Sequence, residues 1–206
     1  MKRLLLVASA VAALAGTAAA TAAAPTVTLT QDRRTVFFGG TITLSGDISP
    51  AAANQKVTIT QDPQDRPART TEAMTQADGS FSLDVQPRIQ TTAQAKFQTA
   101  QSEQLIMFVR PRVGLRKFGA RRFGVTVVAG RSFVGNYVWV SRWDRSRHQW
   151  RNIKRVYLTR YVKSTGASTA AFSLRVRRST KLRAFLSAPQ ARPGYLNSYS
   201  NFIVAR

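Results

Sequence analysis

From residue 26 onward apolar and polar residues alternate in short bursts, with no sustained 3.6-residue apolar rhythm of the kind an amphipathic helix needs. In the first half the alternation predicts strands at 26–30, 41–46, 56–60, 80–85, 92–97 and 105–109. Between them lie Gly39 and Gly40, Ser49 and Pro50, the run from Asp62 to Asp65, and Asp78 with Gly79, each able to turn the chain through positive φ, fixed φ or a local carboxylate bond. In the second half, 123–127, 137–140, 172–176, 182–184 and 201–204 read the same way. The fold class expected is all-β.

The two halves repeat one another. Phe123 to Val127 answers Ile42 to Leu44, Tyr137 to Val140 answers Lys56 to Ile59, and Phe172 to Val176 answers Phe81 to Val85. Leu182 and Ala184 then answer Ala93 and Ala95, and 201–204 answers the strand around Ile106. Two tandem copies of one sandwich-like module suit a chain of this length, with the joint at Pro111, since proline cannot continue a hydrogen-bonded ladder. The expected organisation is a leader at 1–24, a first β-sandwich at 25–109 and a second at 110–206.

The glycine-led run at 39–46, Val57 to Ile59, and the Asp78-Gly79-Ser80-Phe81-Ser82 turn and strand resemble the bacterial immunoglobulin-like modules of exported actinobacterial-type proteins. The likeness spans most of 25–109 and, more loosely, 110–206, where Ala170 and Ala171 stand in place of the Asp-Gly turn. It implies two tandem immunoglobulin-like β-sandwich domains serving as spacers, adhesive domains or carbohydrate-contacting accessories.

The start of the chain has a different character. Lys2 and Arg3 precede an apolar run from Leu4 to Leu14 and a tract of small residues ending at Pro25, which reads as a secretory signal peptide cleaved between Ala20 and Ala24. The apolar run is shorter than the ~20 residues that span a bilayer, and no later segment approaches that length. A secreted or envelope-associated protein is therefore expected, and with no cysteine its stability must come from packing rather than disulfides.

Charge separates the halves further. Residues 25–109 hold seven Lys or Arg against eight Asp or Glu, whereas 110–206 hold twenty-two against one, Asp144. All three Trp and all five Tyr also fall in the second half. Catalytic chemistry is scarce. The single histidine, His148, sits among arginines; the carboxylates Asp62, Asp65, Glu72, Asp78 and Asp84 fall mostly in turns; and no Gly-x-Ser-x-Gly elbow or calcium loop occurs. The expectation is a protein that is not an enzyme and uses no metal or cofactor.

The two-residue period of a strand locates candidate binding residues. Placing Val138 and Val140 inward turns Tyr137, Trp139 and Ser141 outward. Placing Val156, Leu158 and Val162 inward turns Arg155, Tyr157, Thr159, Tyr161 and Lys163 outward. Placing Leu182, Ala184 and Leu186 inward turns Lys181, Arg183 and Phe185 outward. Arg145, Arg147 and Arg151 belong to a basic loop over 142–151, with Trp143 and Trp150 packing across its base. The candidate ligand-binding set is thus Tyr137, Trp139, Arg145, Arg147, Arg151, Arg155, Tyr157, Arg183 and Phe185. Rings interleaved with guanidinium groups suit an anionic polymer: wall phosphate polymer, acidic polysaccharide, nucleic acid or an anionic lipid surface. A neutral-carbohydrate module and a structural or protein-interaction spacer are the alternatives.

Overall fold

The computed structural model describes residues 23–205, so nearly all of the expected signal peptide lies outside the described residues. In chain order the strands are β1 (Thr26–Val27), β2 (Thr30–Gln31), β3 (Thr35–Phe37), β4 (Ile42–Ser49), β5 (Lys56–Pro63), β6 (Arg69–Met74), β7 (Ser80–Val85), β8 (Thr91–Phe97), β9 (Ala100–Gln101) and β10 (Leu105–Arg110). They continue as β11 (Arg112–Lys117), β12 (Arg122–Val128), β13 (Tyr137–Asp144), β14 (Gln149–Tyr157), β15 (Arg160–Val162), β16 (Ala167–Ser173) and β17 (Thr180–Leu186). A single helical turn, α1 (Ala188–Ala191), precedes β18 (Ser198–Tyr199) and β19 (Ile203–Ala205). No helix among the described residues is long and apolar enough to cross a membrane.

Strand order identifies the architecture. In the first sandwich one sheet pairs β1, β2 and β7 onto β4, and the other runs β3-β10-β8-β5-β6, with β3 parallel to β10. In the second, one sheet runs β11-β12-β16-β15 and the other β14-β13-β17, with β18 and β19 pairing β17. That second arrangement is the ABED and C′CFG order of an immunoglobulin-like sandwich, and the fold is all-β with two such sandwiches in tandem. Pro111 falls between the last strand of one and the first of the other.

Alternation builds both cores. Ile42, Leu44, Val57, Ile59, Ala93, Ala95, Met107 and Val109 are fully buried in the first sandwich, as are Val127, Val138, Val140, Leu182, Ala184 and Leu186 in the second. Each large aliphatic among them is worth roughly 1.5–3 kcal/mol in removal from water. Register repeats as well: Val140 pairs with Ala184 as Ile59 pairs with Ala95. One further device recurs. The Ser102 hydroxyl accepts from the Ala95 amide at 3.0 Å and donates to the Glu103 carbonyl at 2.9 Å. Ser200 does the same with Ala184 at 2.8 Å and Asn201 at 2.7 Å, interrupting the last strand at the same place.

Several expectations need correction. Residues 26–30 form two short strands separated by Thr28 and Leu29, because β1 and β2 pair with different stretches of β4. The strand expected at 172–176 runs instead from Ala167 to Ser173: the small residues Ser168 and Ala170 face the core, and the strand ends before Leu174. The basic loop expected over 142–151 is largely strand, since β13 extends to Asp144 and β14 begins at Gln149. Val162 is only half-buried, and with Tyr161 it lies in β15, in the opposite sheet from Tyr157.

The two sandwiches touch through named bonds. The Tyr195 hydroxyl donates to the Arg88 carbonyl at 2.6 Å and accepts from the Gly130 amide at 2.9 Å. The amide of Gln90 donates to Gly194 at 2.9 Å, and that of Leu196 to Val109 at 3.0 Å. Arg112 Nε donates to the Phe38 carbonyl at 2.8 Å.

Candidate functional site

The outer face of the β14-β13-β17-β18 sheet gathers six of the nine candidate residues. Across one rung, Arg155, Trp139, Phe185 and Tyr199 follow one another, and across the neighbouring rung Tyr157 faces Tyr137. Register in the first sandwich makes the contrast plain. The corresponding rung there is Glu72, Thr58 and Lys96, with a 3.0 Å ion pair from Lys56 to Glu72 alongside. The same scaffold position thus carries a hydrogen-bonding, charge-balanced row in one copy and a row of rings with an arginine in the other.

The rings and guanidinium groups are packed on one another. Arg155 lies 4.7 Å from the Trp139 ring centre and 5.2 Å from that of Tyr137. Arg183 lies 4.4 Å from both Trp150 and Tyr199. Tyr137 meets Trp139 and Tyr157 edge-on at 5.6 Å, and Phe185 stacks on Tyr199 at 4.5 Å. Such contacts hold the planar cations in fixed orientations at ~0.5–2 kcal/mol each. Burial among these rings lowers the Arg183 pKa, opposed by the Tyr199 phenol. Of the rings on this face, Tyr157 and Tyr199 are exposed.

A bulge makes this face possible. Val140 pairs with Lys154 but Ser141 pairs with Asn152, so Ile153 is an extra residue in β14. Beyond it the outward positions change from odd to even, which turns Trp150 to the same face as Arg155 and seats it against Trp143 at 5.4 Å. The expected packing of those two tryptophans is present. Ser141 does not reach solvent as expected: it is 1% exposed, because Arg183 and Asn152 lie opposite it, and its hydroxyl contacts Asn152 Oδ1 at 2.7 Å.

The other three candidates, Arg145, Arg147 and Arg151, are not on that face. Arg145 and Arg147 are exposed in the four-residue turn between β13 and β14, and Arg151 pairs with Arg142 on the rung next to that of Trp143 and Trp150, where alternation turns the side chains to the other face. Asp144 organises the turn: its Oδ1 accepts from the Ser146 hydroxyl at 2.7 Å and the Ser146 amide at 3.1 Å, and Oδ2 takes Arg151 at 3.5 Å. The Ser146 hydroxyl, with the amides of Arg147 and Ser146 and the Arg151 cation, holds this carboxyl below the usual carboxylate range against the opposing effect of burial. His148 closes the turn at φ +50°.

Next to this turn the chain between β16 and β17 brings up Arg177 and Arg178, and the two segments border an open cleft of about 320 Å³. Arg142, Arg145, Arg177, Arg178 and Lys181 line it, with Asp144 as its only acid. Arg177, Arg178, Tyr199 and Trp150 were not among the candidates. Arg177 and Arg178 form a visible basic pair in the sequence, hidden by the strand expected to run through Val176; nothing in the sequence signals that Tyr199 reaches Phe185. Among the described residues no group of His, Cys, Asp and Glu could hold a metal ion.

No family model and no characterised protein sequence matches the chain. Among solved structures it is similar to a tetra-tandem repeat from the extending region of a large adhesion protein, at 14% identity and TM-score 0.37 over 88% of this chain and 48% of that one. The chain therefore spans about half the length of that repeat array. It is also similar to a marsupial T cell receptor, at 10% identity and TM-score 0.33 over 87% of this chain and 100% of the other. A bovine butyrophilin gives 9% identity and TM-score 0.35 over 86% and 98%.

Proposed function

We propose that this chain is an exported, non-catalytic binding protein whose second sandwich, residues 110–206, holds an anionic polymer of the cell envelope or its surroundings, with the nearly neutral first sandwich as its spacer. One observation carries the reading: twenty-two cations share that half with a single carboxylate, and Asp144 is already engaged within its own turn. Like charges at this density repel, and an external polyanion offsets the repulsion while releasing counterions. The aromatic face supports a role for charge over sugar stacking, because Arg155 and Arg183 already lie over Trp139, Tyr137, Trp150 and Tyr199.

The test is retention of the purified mature protein on wall phosphate polymer, acidic and neutral glycans, DNA and anionic vesicles across a salt series. Retention on polyanions that weakens steeply with salt is expected. Retention on neutral glycan that survives high salt overturns the reading in favour of a carbohydrate module, and salt-indifferent binding to polyanions overturns it as well. Trp139→Ala, which removes the ring beneath Arg155, is expected to weaken retention several-fold.

A further inference from the structure

We propose that the cleft between the β13–β14 turn and the segment before β17 is the subsite that grips a tetrahedral oxyanion, a phosphate or sulfate ester carried on the polymer. The inference rests on the reading of the second sandwich as a polyanion binder and gives it an address.

Placement is the first support. Strands β13 and β17 run antiparallel, and the ends near Asn136 and Ser187 lie toward the first sandwich, where Gly130, Gly194 and Tyr195 make their contacts. The cleft lies at the opposite ends, after Asp144 and before Thr180, so a long polymer reaches it without meeting the first sandwich. A second arginine cleft of about 270 Å³, lined by Arg121, Arg175 and Arg178, adjoins it and shares Arg178.

Electrostatics is the second. Five cations surround one trough whose single acid is spent on Ser146 and Arg151. None of the four arginines has a carboxylate partner among the described residues. Planar guanidinium forks present paired donors that match the oxygens of phosphate or sulfate. The bordering segments are also held in place before any ligand arrives. Ser179 sits at φ +63°, an uncommon conformation for a side-chain-bearing residue, fixed by its amide on Ala205 at 2.7 Å and by the Thr180 hydroxyl on the Arg177 carbonyl at 2.7 Å. Asp144 fixes the facing turn in the same manner. Preorganised donors lose little freedom on binding.

The test uses the whole mature protein and defined probes. Arg177→Ser with Arg178→Ser removes two exposed side chains whose backbone is unaffected, and Arg160→Ser with Lys163→Ser is the charge-matched control away from the cleft. On poly(glycerol phosphate) near physiological salt, the cleft pair is expected to lose at least tenfold in affinity and the control less than threefold. Arg177→Lys with Arg178→Lys, which keeps charge and loses the forks, is expected to fall between. Heparin should report the same ranking, and polyglutamate, which offers carboxylates, should be bound more weakly. Equal losses in cleft and control variants, or polyglutamate bound as tightly as the phosphate polymer, overturn the subsite while leaving polyanion binding intact. Titration of inorganic phosphate followed on arginine Nε–H NMR signals separates the two ideas from the other side. Shifts concentrated on Arg142, Arg145, Arg177 and Arg178 support the subsite even if no polymer is retained, and uniform shifts across all arginines overturn it.

Discussion

A single carboxylate carries most of the local order at the cationic end of the second sandwich. Asp144 has a counterpart in Asp78, whose Oδ1 takes the Ser80 amide at 3.0 Å and its hydroxyl at 2.7 Å; in both, an Asp two residues before a Ser closes a turn. The pKa of Asp144 in the folded chain is depressed below the unfolded value of ~3.9, first by the Ser146 hydroxyl. A depressed carboxyl contributes stability that is present above the unfolded pKa and is lost as pH falls through the folded pKa. The Ser146 and Arg147 amide resonances are therefore expected to titrate together with a midpoint below ~3.9. Asp144→Ala should abolish that titration and broaden the turn. A midpoint at or above the ordinary value would remove Asp144 from its organising role.

Two serines define a repeat at the element scale that alternation alone does not reveal. Ser102 and Ser200 each take the amide of the matching core alanine and return a bond to the next carbonyl. Both are nearly buried, so replacing either by Ala strands an amide and a carbonyl, at a cost of about 1–3 kcal/mol. Ser102→Ala and Ser200→Ala should show losses of similar size in denaturant unfolding; a loss confined to one of them would mean that the other is solvated in place. Strands whose one face is apolar, β4, β5, β7, β8 and β17, were legible as alternation, and so were the inward residues Val138, Val140, Val156 and Leu182. Edge strands were less so: β6 buries little besides Ala73 and gave no alternation, and of β14 only the end from Arg155 to Tyr157 was legible, the rest being polar and basic, as exposed edges that avoid pairing with other chains tend to be. The Ile153 bulge had no pattern to announce it, which is why the outward direction of Trp150 could not be reached by counting. The candidate site was legible as composition and as rungs on one face; its cleft needed the loop at Arg177 and Arg178 to be brought beside a hairpin distant in sequence.

Between the two sandwiches lies a junction whose chemistry is unlike that of either outer face. Gly194 adopts φ +87°, and a Cβ there would collide with the buried side chain of Ile89, so only glycine satisfies both the backbone and the contact. The neighbouring Tyr195 is packed on Phe133 and beneath Arg131, and burial raises its phenol pKa. Removing its hydroxyl leaves the Arg88 carbonyl and the Gly130 amide without their partner. Gly194→Ala and Tyr195→Phe are therefore expected to uncouple the tumbling of the two sandwiches in ¹⁵N relaxation, with Tyr195→Phe costing about 1–3 kcal/mol. Because the arginine cleft sits at the opposite ends of β13 and β17, the same variants should leave retention on phosphate polymer within twofold of the parent. Retention that fell in step with uncoupling would place part of the polymer's path across the junction and assign the first sandwich a share in binding, instead of the spacing role proposed for it.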